Sequence, residues 1–582
     1  MTELLKFDPI SRKVTWLLIF LLFIISASLT LINVAHVPPG LYQDESAIGY
    51  NAYSILKTGK DEYGNSHPLY FKSFGDYKLP VYIYTTALSI KLFGLNEFAV
   101  RFPSILAGVF SVIILFFFVQ YLTKNTTLSF LSALAFALNP THLIFSRAGF
   151  EVNIALAFAL TGCYLFVLAV TKKKFLFIVF SLLCFGLSLY SYNVTRLISP
   201  LFFAGLVALY WKQVRSFSKI HKISAVIVSL LILSPFLMEF FAPSGVLSAK
   251  STLITSTDVL AKDLEFRSYL VSLPHIYTAL FYNQYFYMIF QYLQNLATIF
   301  SGSFYFVSGT SQLNQGIGDV GYFYLFDLPF FVVGLIIYYR IKFKAFRIFN
   351  LWLITAIFVL ALSKDVPQAT RGYFIVLPTI CFIAFGIFFF FYYLSIHKNK
   401  IVKYLLLAIF IVFVFSDIQY YFLSYYFRFP LVYASAWRKQ DKDLTFYLKA
   451  HESKYSKIII DSSTDFIYTT YLFYSAYSPS EFVASAKRYK DGDLIKANAW
   501  GKYQIKNMQW DKDLMSPHTL IVSTQADVPK NAIILGKMYD PTTFNTFSIN
   551  GKIVNAPQNN VKYMLIETDA NKNNKMLLKQ FE

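Results

Sequence analysis

The segment VTWLLIFLLFIISASLTLINV, residues 14–34, is long and apolar enough to cross a lipid bilayer as one helix. Similar runs recur along the chain, which is 56% hydrophobic and only 14% charged. A soluble domain has about 25% charged residues, so we expect much of this apolar surface to face lipid. The first run lacks a small-residue cleavage site, which predicts a retained span and not a removed signal peptide.

Ten further runs have the length and composition of membrane-spanning helices. We place the spans at residues 14–34, 102–122, 128–144, 152–170, 175–191, 196–211, 223–241, 322–339, 348–363, 373–394 and 401–418. The sequence therefore predicts an all-α polytopic membrane protein with about eleven transmembrane helices.

Short clusters of lysine and arginine lie between these runs and indicate the orientation. They precede the first span and follow every second span, as at Lys172-Lys173-Lys174. Positive residues concentrate in cytoplasmic loops, so we expect a cytoplasmic N-terminus in the cell membrane. This distribution explains the net charge of +20 without a nucleic-acid partner. If residues 81–95 crossed the membrane, every later loop would change sides and Lys172-Lys173-Lys174 would lie outside. We therefore expect residues 81–95 to form an interfacial helix on the outer leaflet.

The composition changes after the last predicted span. Charged residues, Asn, Ser and Pro return from about residue 420, and the apolar runs at 457–461 and 519–523 predict buried strands. We therefore expect a transmembrane domain over 1–419 and a small α/β extracytoplasmic domain over 420–582. Residues 243–321 are predicted to form an outer excursion with short helices near 258–270 and 280–300.

Ionisable residues gather in the predicted outer loops, where they are costly and commonly functional. The first loop carries the acidic pair Asp44-Glu45 and later the stretch Asp76-Tyr77-Lys78-Leu79-Pro80. Further candidates stand at the outer ends of later helices: Arg101, Arg147, Glu151, Arg196, Arg371 and Tyr373. A carboxylate can act as general base toward a hydroxyl, and Arg and Lys bind phosphate. The set therefore indicates chemistry on a phosphate-bearing substrate.

Each candidate also has a purely structural interpretation. The acidic pair could cap a helix that begins near Ser46, and the arginines could extend to lipid headgroups. Arg147 could pair with Glu151, and Lys78 could be an ordinary loop lysine. The three cysteines lie inside apolar runs and predict neither a disulfide nor a zinc site. A divalent metal stays open as a cofactor, although no set of metal-ligating residues stands out to support it.

The donor of such a reaction is constrained by the predicted location of the site. The chain has no Gly-rich loop of the kind that cradles nucleotide phosphates, and an outer site has no access to cytoplasmic activated sugars. A phosphate-bearing donor at membrane level is therefore expected to be lipid-linked.

Six motifs follow one another along residues 10–395. They are Asp44-Glu45, Lys78-Leu79-Pro80, Arg-Phe-Pro-Ser at 101–104, Asn-Pro…Ser-Arg…Glu at 139–151, Tyr-x-Tyr-x-x-x-Arg-Leu-x-x-Pro at 190–200 and Arg-Gly-Tyr…Leu-Pro at 371–378. In this order they resemble the membrane glycosyltransferases of the GT-C fold. The most similar branch includes the lipid A aminoarabinose transferase, the protein O-mannosyltransferases and the Rhizobium lipopolysaccharide core transferases.

The resemblance implies an inverting glycosyltransferase with a polyprenyl-phosphate sugar as donor. The acceptor would be a hydroxyl of a glycan, lipid or protein of the cell envelope. Asp44 would be the catalytic base, with Glu45 orienting it or the acceptor. The remaining roles implied are donor phosphate binding by Lys78, Arg371, Arg196 and Tyr373, and acceptor-side support by Asp76, Arg101, Arg147 and Glu151, with Asp76 orienting Lys78. Lys-Leu-Pro departs from the family's Lys-Pro-Pro.

Two other functions fit a polytopic membrane protein. A transporter or flippase of lipid-linked glycan is the main alternative. The second is a non-catalytic membrane receptor or assembly factor that binds through the C-terminal domain. Transporters are commonly built from internal repeats with broken helices near the membrane midplane. We find no repeat, and the candidate residues gather on one predicted side, which favours the enzyme.

Overall fold

The computed structural model describes residues 10–571 apart from 74–75, 241–252, 270–275, 277–279, 281–282, 311, 464–466, 492–493, 525–527, 531, 541–543, 550–551 and 558–559. The chain divides into two compact units. The first unit contains residues 1–32 and 104–422, and the second contains residues 33–103 and 423–582. Each unit is described by itself.

The helices up to residue 240 are α1 (Arg12–Leu31), α2 (Gln43–Thr58), α3 (Pro80–Phe93), α4 (Glu97–Thr123), α5 (Thr126–Leu138), α6 (Pro140–Arg147), α7 (Glu151–Lys172), α8 (Phe175–Leu189), α9 (Thr195–Leu209), α10 (Trp211–Arg215) and α11 (Lys219–Phe240). The later helices are α12 (Thr257–Ser268), α13 (Gln284–Ile299), α14 (Gly302–Phe306), α15 (Asp327–Ile341), α16 (Arg347–Ala361), α17 (Ala369–Ile396), α18 (Lys400–Leu423), α19 (Phe429–Val432), α20 (Lys439–His451), α21 (Ile467–Tyr474), α22 (Pro479–Ser485), α23 (Trp510–Asp513) and α24 (Thr568–Asn571).

Seven of the described helices are long and apolar enough to cross a membrane: α1, α4, α7, α11, α16, α17 and α18. Two of these spans include short helical turns next to the helix, so that the α16 span is Lys344–Ala361 and the α18 span is Lys400–Val432. The bent pair α5–α6 passes the same test together, with an angle of 60° between its halves, and α8 and α9 are shorter apolar helices. The chain is thus a multi-pass membrane protein, as predicted. The count of eleven spans stays a prediction. The helices expected near 258–270 and 280–300 are present as α12 and α13.

Helix α17 forms the core of the first unit, where every residue from Ala369 to Ile387 is buried. It packs against α15 at two glycines. The Cα of Gly334 lies against the carbonyl of Phe382, and the Cα of Gly386 lies against the carbonyl of Phe330. A methyl group at either glycine would overlap the opposite backbone. Small residues of this kind let the backbones of membrane helices approach closely.

The second unit contains a seven-stranded sheet. Its strands are β3 (Lys457–Asp461), β4 (Lys487–Asp491), β5 (Leu494–Trp500), β6 (Tyr503–Lys506), β7 (Thr519–Ser523), β8 (Gly536–Tyr539) and β11 (Val561–Glu567), in the spatial order β4-β5-β6-β3-β7-β11-β8. β3 runs parallel to β6 and β7, and the other pairs are antiparallel. Two hairpins stand apart: β1 (Phe71–Ser73) with β2 (Asp76–Lys78), and β9 (Phe544–Ile549) with β10 (Lys552–Pro557). The predicted strands at 457–461 and 519–523 are confirmed as β3 and β7.

Helices α2 and α3, from the predicted first outer loop, also belong to the second unit. Leu41, Ala47 and Tyr50 share one hydrophobic core with Ile458 and Leu565 of the sheet. The compact unit thus adds residues 33–103 to the C-terminal region. The division into domains 1–419 and 420–582 remains a prediction about the chain. Helix α3 confirms the helix expected over 81–95, and its place on the outer leaflet stays a prediction.

Candidate active site

The acidic pair lies in the first turn of α2. The helix begins at Gln43, and its N-cap residue, Tyr42, makes no side-chain capping bond. Carboxylates in a first helical turn are stabilised by the positive end of the helix dipole. The structure therefore places Asp44 and Glu45 within the helix, which begins three residues before Ser46, near which the start was expected.

Asp44 is paired with Lys78. Its Oδ1 lies 3.0 Å from the Lys78 Nζ, and the two side chains are 31% and 13% exposed. Lys78 is the last residue of β2 and stands just before Pro80, the first residue of α3. The side chain of Asp76 lies outside the described part of the structure, so its predicted action on Lys78 stays a prediction.

Glu45 is paired with Arg101, and neither side chain is exposed. Arg101 Nε lies 3.2 Å from Glu45 Oε1. Arg101 also donates to the carbonyls of Val34 at 2.6 Å and Pro38 at 3.1 Å, and to the carbonyl of Gly40. Arg101 therefore ties the chain before α2 to the first turn of that helix. Glu45 is fully enclosed by this arrangement, whereas Asp44 keeps a partly open carboxylate.

Two residues from the C-terminal region pack around the start of α2. The Trp437 ring contacts the Tyr42 ring edge-on, with centroids 5.3 Å apart, and lies 5.8 Å from the Arg101 guanidinium. Arg438 Nη2 donates to Gln43 Oε1 at 3.1 Å. Our sequence analysis missed both residues. They lie far along the chain from α2, and no local pattern marks them.

The remaining candidates belong to the first unit, and its two arginine candidates for phosphate binding both have carboxylate partners. Arg371, in the first turn of α17, lies 3.4 Å from Asp365, whose side chain is 50% exposed. Arg196, in the first turn of α9, lies 2.9 Å from the buried Glu239. The Arg371–Asp365 pair is more exposed than the Arg196–Glu239 pair. Arg371 can therefore exchange its carboxylate partner for another anion at a lower cost in free energy.

The hydroxyl of Tyr373 is bonded inside the protein. It donates to Asn153 Oδ1 at 2.9 Å and lies 2.7 Å from His142 Nδ1, and Tyr373 is fully buried. The His142 ring stacks on Phe136 with centroids 3.9 Å apart. This buried polar network joins α5, α6, α7 and α17. The predicted contact of Tyr373 with a phosphate stays a prediction, and it would require this network to open.

Arg147 and Glu151 stand on either side of the turn between α6 and α7. Arg147 is fully buried, and its Nη1 donates to the carbonyls of Leu29 at 2.8 Å and Thr30 at 3.2 Å. Glu151 is the first residue of α7 and is partly exposed. The placement of Arg147 suits a supporting role. In the described part of the chain, no group of three or more His, Cys, Asp or Glu side chains could hold a metal ion.

The loop after α2 contains a buried carboxyl group. Glu62 is 2% exposed, and burial raises its pKa from 4.5 to about 7, although Arg488 and Asn51 lower it in part. Arg488 donates to the backbone carbonyl of Glu62 at 2.6 Å. No described group bonds Glu62 Oε1. This carboxyl group therefore titrates near neutral pH.

Part of the chain matches a known protein family. Residues 67–238 match the family model described as dolichyl-phosphate-mannose-protein mannosyltransferase. A sequence comparison with curated proteins found no match.

Solved structures match over most of the chain. ArnT from Cupriavidus metallidurans matches over 96% of this chain and 98% of its own at 11% identity, with a TM-score of 0.50 in the apo state and 0.51 bound to undecaprenyl phosphate. The oligosaccharyltransferase AglB from Archaeoglobus fulgidus covers 79% of this chain and 63% of its own at 11% identity, with a TM-score of 0.46. The chain is therefore a membrane protein of the GT-C glycosyltransferase fold, as the order of its motifs indicated.

Proposed function

We propose that the chain is an inverting glycosyltransferase that uses a polyprenyl-phosphate sugar and a hydroxyl acceptor of the cell envelope. The observation that carries this proposal is the pair of Asp44 and Lys78, joined at 3.0 Å and partly open to solvent. A carboxylate within reach of an acceptor is suited to take a proton from its hydroxyl, and an adjacent lysine is suited to bind the phosphate of the donor.

In the proposed reaction, Asp44 removes the proton from the acceptor hydroxyl. The acceptor oxygen then attacks the anomeric carbon of the donor sugar from the face opposite the phosphate. The bond between that carbon and the phosphate oxygen breaks, and the phosphate leaves with the electron pair, so the configuration inverts. A cation near the leaving oxygen stabilises the charge that develops there, and we assign this role to Lys78.

The two carboxylates of the pair have different roles in this proposal. Asp44 is 31% exposed, whereas Glu45 is fully buried against Arg101. A general base must come within hydrogen-bond reach of the hydroxyl. This supports Asp44 as the base and leaves Glu45 with Arg101 as support for the helix start.

The lipid-linked donor is supported by two features of the first unit. An apolar cavity of about 190 Å³ lies between α8, α9 and α11. A second cavity of about 210 Å³ shares Leu182, Phe203 and Ser229 with it, and the apolar lining of both cavities suits a hydrocarbon chain. The Arg196–Glu239 pair joins α9 and α11, and Arg371 with its exposed partner is the second candidate for the donor phosphate.

The comparisons support the same donor class. The matching family model is named for a dolichyl-phosphate-linked sugar, and one of the ArnT structures holds undecaprenyl phosphate.

We also propose eleven spans with a cytoplasmic N-terminus and an extracytoplasmic C-terminal region. The lysine clusters between the apolar helices support this orientation. A cysteine placed at position 173 should react with an impermeant thiol reagent only from the cytoplasmic side. Labelling only from outside would reverse the topology and remove the outer site.

Transfer by the purified protein tests the enzymatic proposal. Radiolabelled polyprenyl-phosphate sugars are supplied with envelope glycan acceptors, and Asp44→Asn is compared with wild type. We expect a loss of roughly 10²- to 10⁴-fold for a missing general base. Asp443→Asn is the matched control, because Asp443 is an exposed aspartate of the same unit. Equal transfer by Asp44→Asn would remove Asp44 as base. Movement of lipid-linked sugar across vesicles without transfer would favour a transporter.

A further inference from the structure

The turn between Tyr433 and Lys439 is held against the segment that leads into α2. The backbone N–H groups of Arg438 and Lys439 bond the carbonyls of Ser435 and Ala434 at 3.0 Å. The Cα of Gly40 lies against the carbonyl of Trp437, so a side chain at position 40 would overlap this turn. The turn and the helix start are therefore fitted to each other within the second unit.

Arg438 occupies a backbone conformation that few residues adopt without cause. Its φ is 54°, in the left-handed region, and it forms the N-cap of α20. Non-glycine residues in this region carry strain that the surrounding structure must offset, and they concentrate at functional sites. The conformation aims the guanidinium at two partners on different helices.

The two terminal nitrogens of Arg438 bond those partners separately. Nη1 lies 3.2 Å from Asp441 Oδ2 on α20, and Nη2 donates to Gln43 Oε1, at the first residue of α2, at 3.1 Å. The planar guanidinium holds its donors in a fixed fork. The position of Gln43, which directly precedes Asp44, is therefore set from α20.

A third contact extends this chain of bonds to the sheet. Asp441 is 3% exposed, and its second oxygen, Oδ1, accepts a hydrogen bond of 2.5 Å from the Tyr563 hydroxyl on β11. Tyr563 is 1% exposed. A continuous series of buried or partly buried bonds thus runs from β11 through Asp441 and Arg438 to the first turn of α2.

We infer that Arg438 is a positioning residue for Asp44, and that it acts through Gln43 with Asp441 and Tyr563 as its anchor. The C-terminal region thereby supplies the residues that position the proposed base. This inference rests on the proposed function for its catalytic consequence, because Asp44 is the proposed base. Its structural consequence, the ordering of the first turn of α2, can be measured without any reaction.

The catalytic test is a double-mutant cycle on kcat. Arg438→Asn suits the left-handed backbone, since Asn tolerates that region, but its short side chain cannot bridge Gln43 and Asp441. We expect it to lower kcat roughly 10- to 100-fold, the cost of misplacing a reacting group by about 1 Å, with donor KM within about two-fold. Gln43→Ala should lower kcat similarly, and the double variant should be no slower than either single variant. Multiplied losses, or an unchanged kcat in Arg438→Asn, would overturn the inference.

Hydrogen exchange of full-length protein supplies the readout that needs no activity. Backbone amides of residues 41–48 should exchange faster in Arg438→Asn and in Tyr563→Phe than in wild type. Lys439→Ala is the matched control, because Lys439 pairs with Asp443 on the exposed side of α20, and it should leave exchange and kcat unchanged. Unchanged exchange in Arg438→Asn would refute the positioning role. If wild type transfers no sugar but Arg438→Asn still exchanges faster, the proposed function is refuted. The structural coupling between Arg438 and the start of α2 then still holds.

Discussion

The ammonium group of Lys78 lies 3.0 Å from the carboxylate of Asp44, at the junction of the β1–β2 hairpin with α3. The pair is partly exposed, so water screens it and its partners can exchange. In the resting protein Lys78 holds the Asp44 carboxylate in an ion pair. During the proposed reaction the same cation is available to the phosphate of the donor.

Replacing Lys78 separates these two roles. Lys78→Gln should lower kcat/KM for the donor by roughly 100-fold, the usual cost of removing one group that stabilises a developing anion. If Lys78 served only to neutralise Asp44, Lys78→Gln would cost no further activity in the Asp44→Asn background. We expect a further loss there, because the donor phosphate also loses its cation. Transfer rates of the four proteins of this cycle decide between the roles.

The buried pair of Glu45 and Arg101 should control folding more than chemistry. Arg101→Met leaves a buried carboxylate without its partner and removes the hydrogen bonds to Val34, Pro38 and Gly40. Breaking a buried ion pair in this way costs about 3–5 kcal/mol. We expect a large loss of folded protein, measured by size-exclusion chromatography and thermal unfolding.

Glu45→Gln is the milder variant of the same pair, because it keeps an oxygen that can accept from Arg101 Nε. The folded fraction of this variant should retain most of the transfer activity. A loss of transfer as large as that of Asp44→Asn, at unchanged thermal stability, would instead make Glu45 the base.

Tyr373→Phe tests the predicted contact of Tyr373 with the donor phosphate. The variant removes the hydroxyl that bonds Asn153 and His142. A lost buried hydrogen bond costs about 1 kcal/mol, and more where a partner is left unsatisfied. From the observed network we expect a lower Tm with an unchanged donor KM. A donor KM raised several-fold at unchanged Tm would support the phosphate contact.

Local patterns predicted the helices and strands well, because long apolar runs and buried strand runs depend on nearby residues alone. The strands at 457–461 and 519–523 and the helix at 81–95 are cases in which the pattern sufficed. The acidic pair was also visible from sequence, since two carboxylates beside a span are costly without a role.

The partners of the site residues were beyond local patterns, because they come from distant parts of the chain. The structure pairs Lys78 with Asp44 of α2, and the expected action of Asp76 on Lys78 stays a prediction. Trp437 and Arg438 carry no motif, and they reach α2 only because residues 33–103 share a core with the C-terminal sheet. A periodicity in the sequence cannot report a contact of this kind.

The glycine contacts between α15 and α17 provide a test of the first unit. Gly334→Ala and Gly386→Ala each add a methyl group against a backbone carbonyl of the facing helix. Overpacking of this kind typically costs about 1–3 kcal/mol, so both variants should unfold at lower temperature. Gly302→Ala is the matched control, because a methyl group there has nothing within 4 Å. Equal Tm values for all three variants would contradict the close helix contact.

Glu62 should make the stability of the second unit depend on pH. Its pKa is raised from an ordinary value of 4.5 to about 7. Burial is the main cause, Asp61 also raises the pKa, and Arg488 and Asn51 partly offset the increase. The folded protein therefore holds a proton that the unfolded chain releases between about pH 4.5 and pH 7. The stabilisation by this group is largest below pH 4.5, decreases as pH rises across that window and is absent above it. Its size is on the order of 3 kcal/mol.

Glu62→Gln removes the titration and keeps the shape of the protonated side chain. We expect its Tm, followed by intrinsic fluorescence, to match wild type near pH 5 and to exceed it at pH 8, where wild type must bury a carboxylate. Glu481→Gln, an exposed glutamate of the same unit, should follow wild type at both pH values. If Glu62→Gln instead unfolds at a lower temperature than wild type at pH 8, the carboxylate is stabilised by Arg488. Its pKa then lies below its ordinary value and not above it.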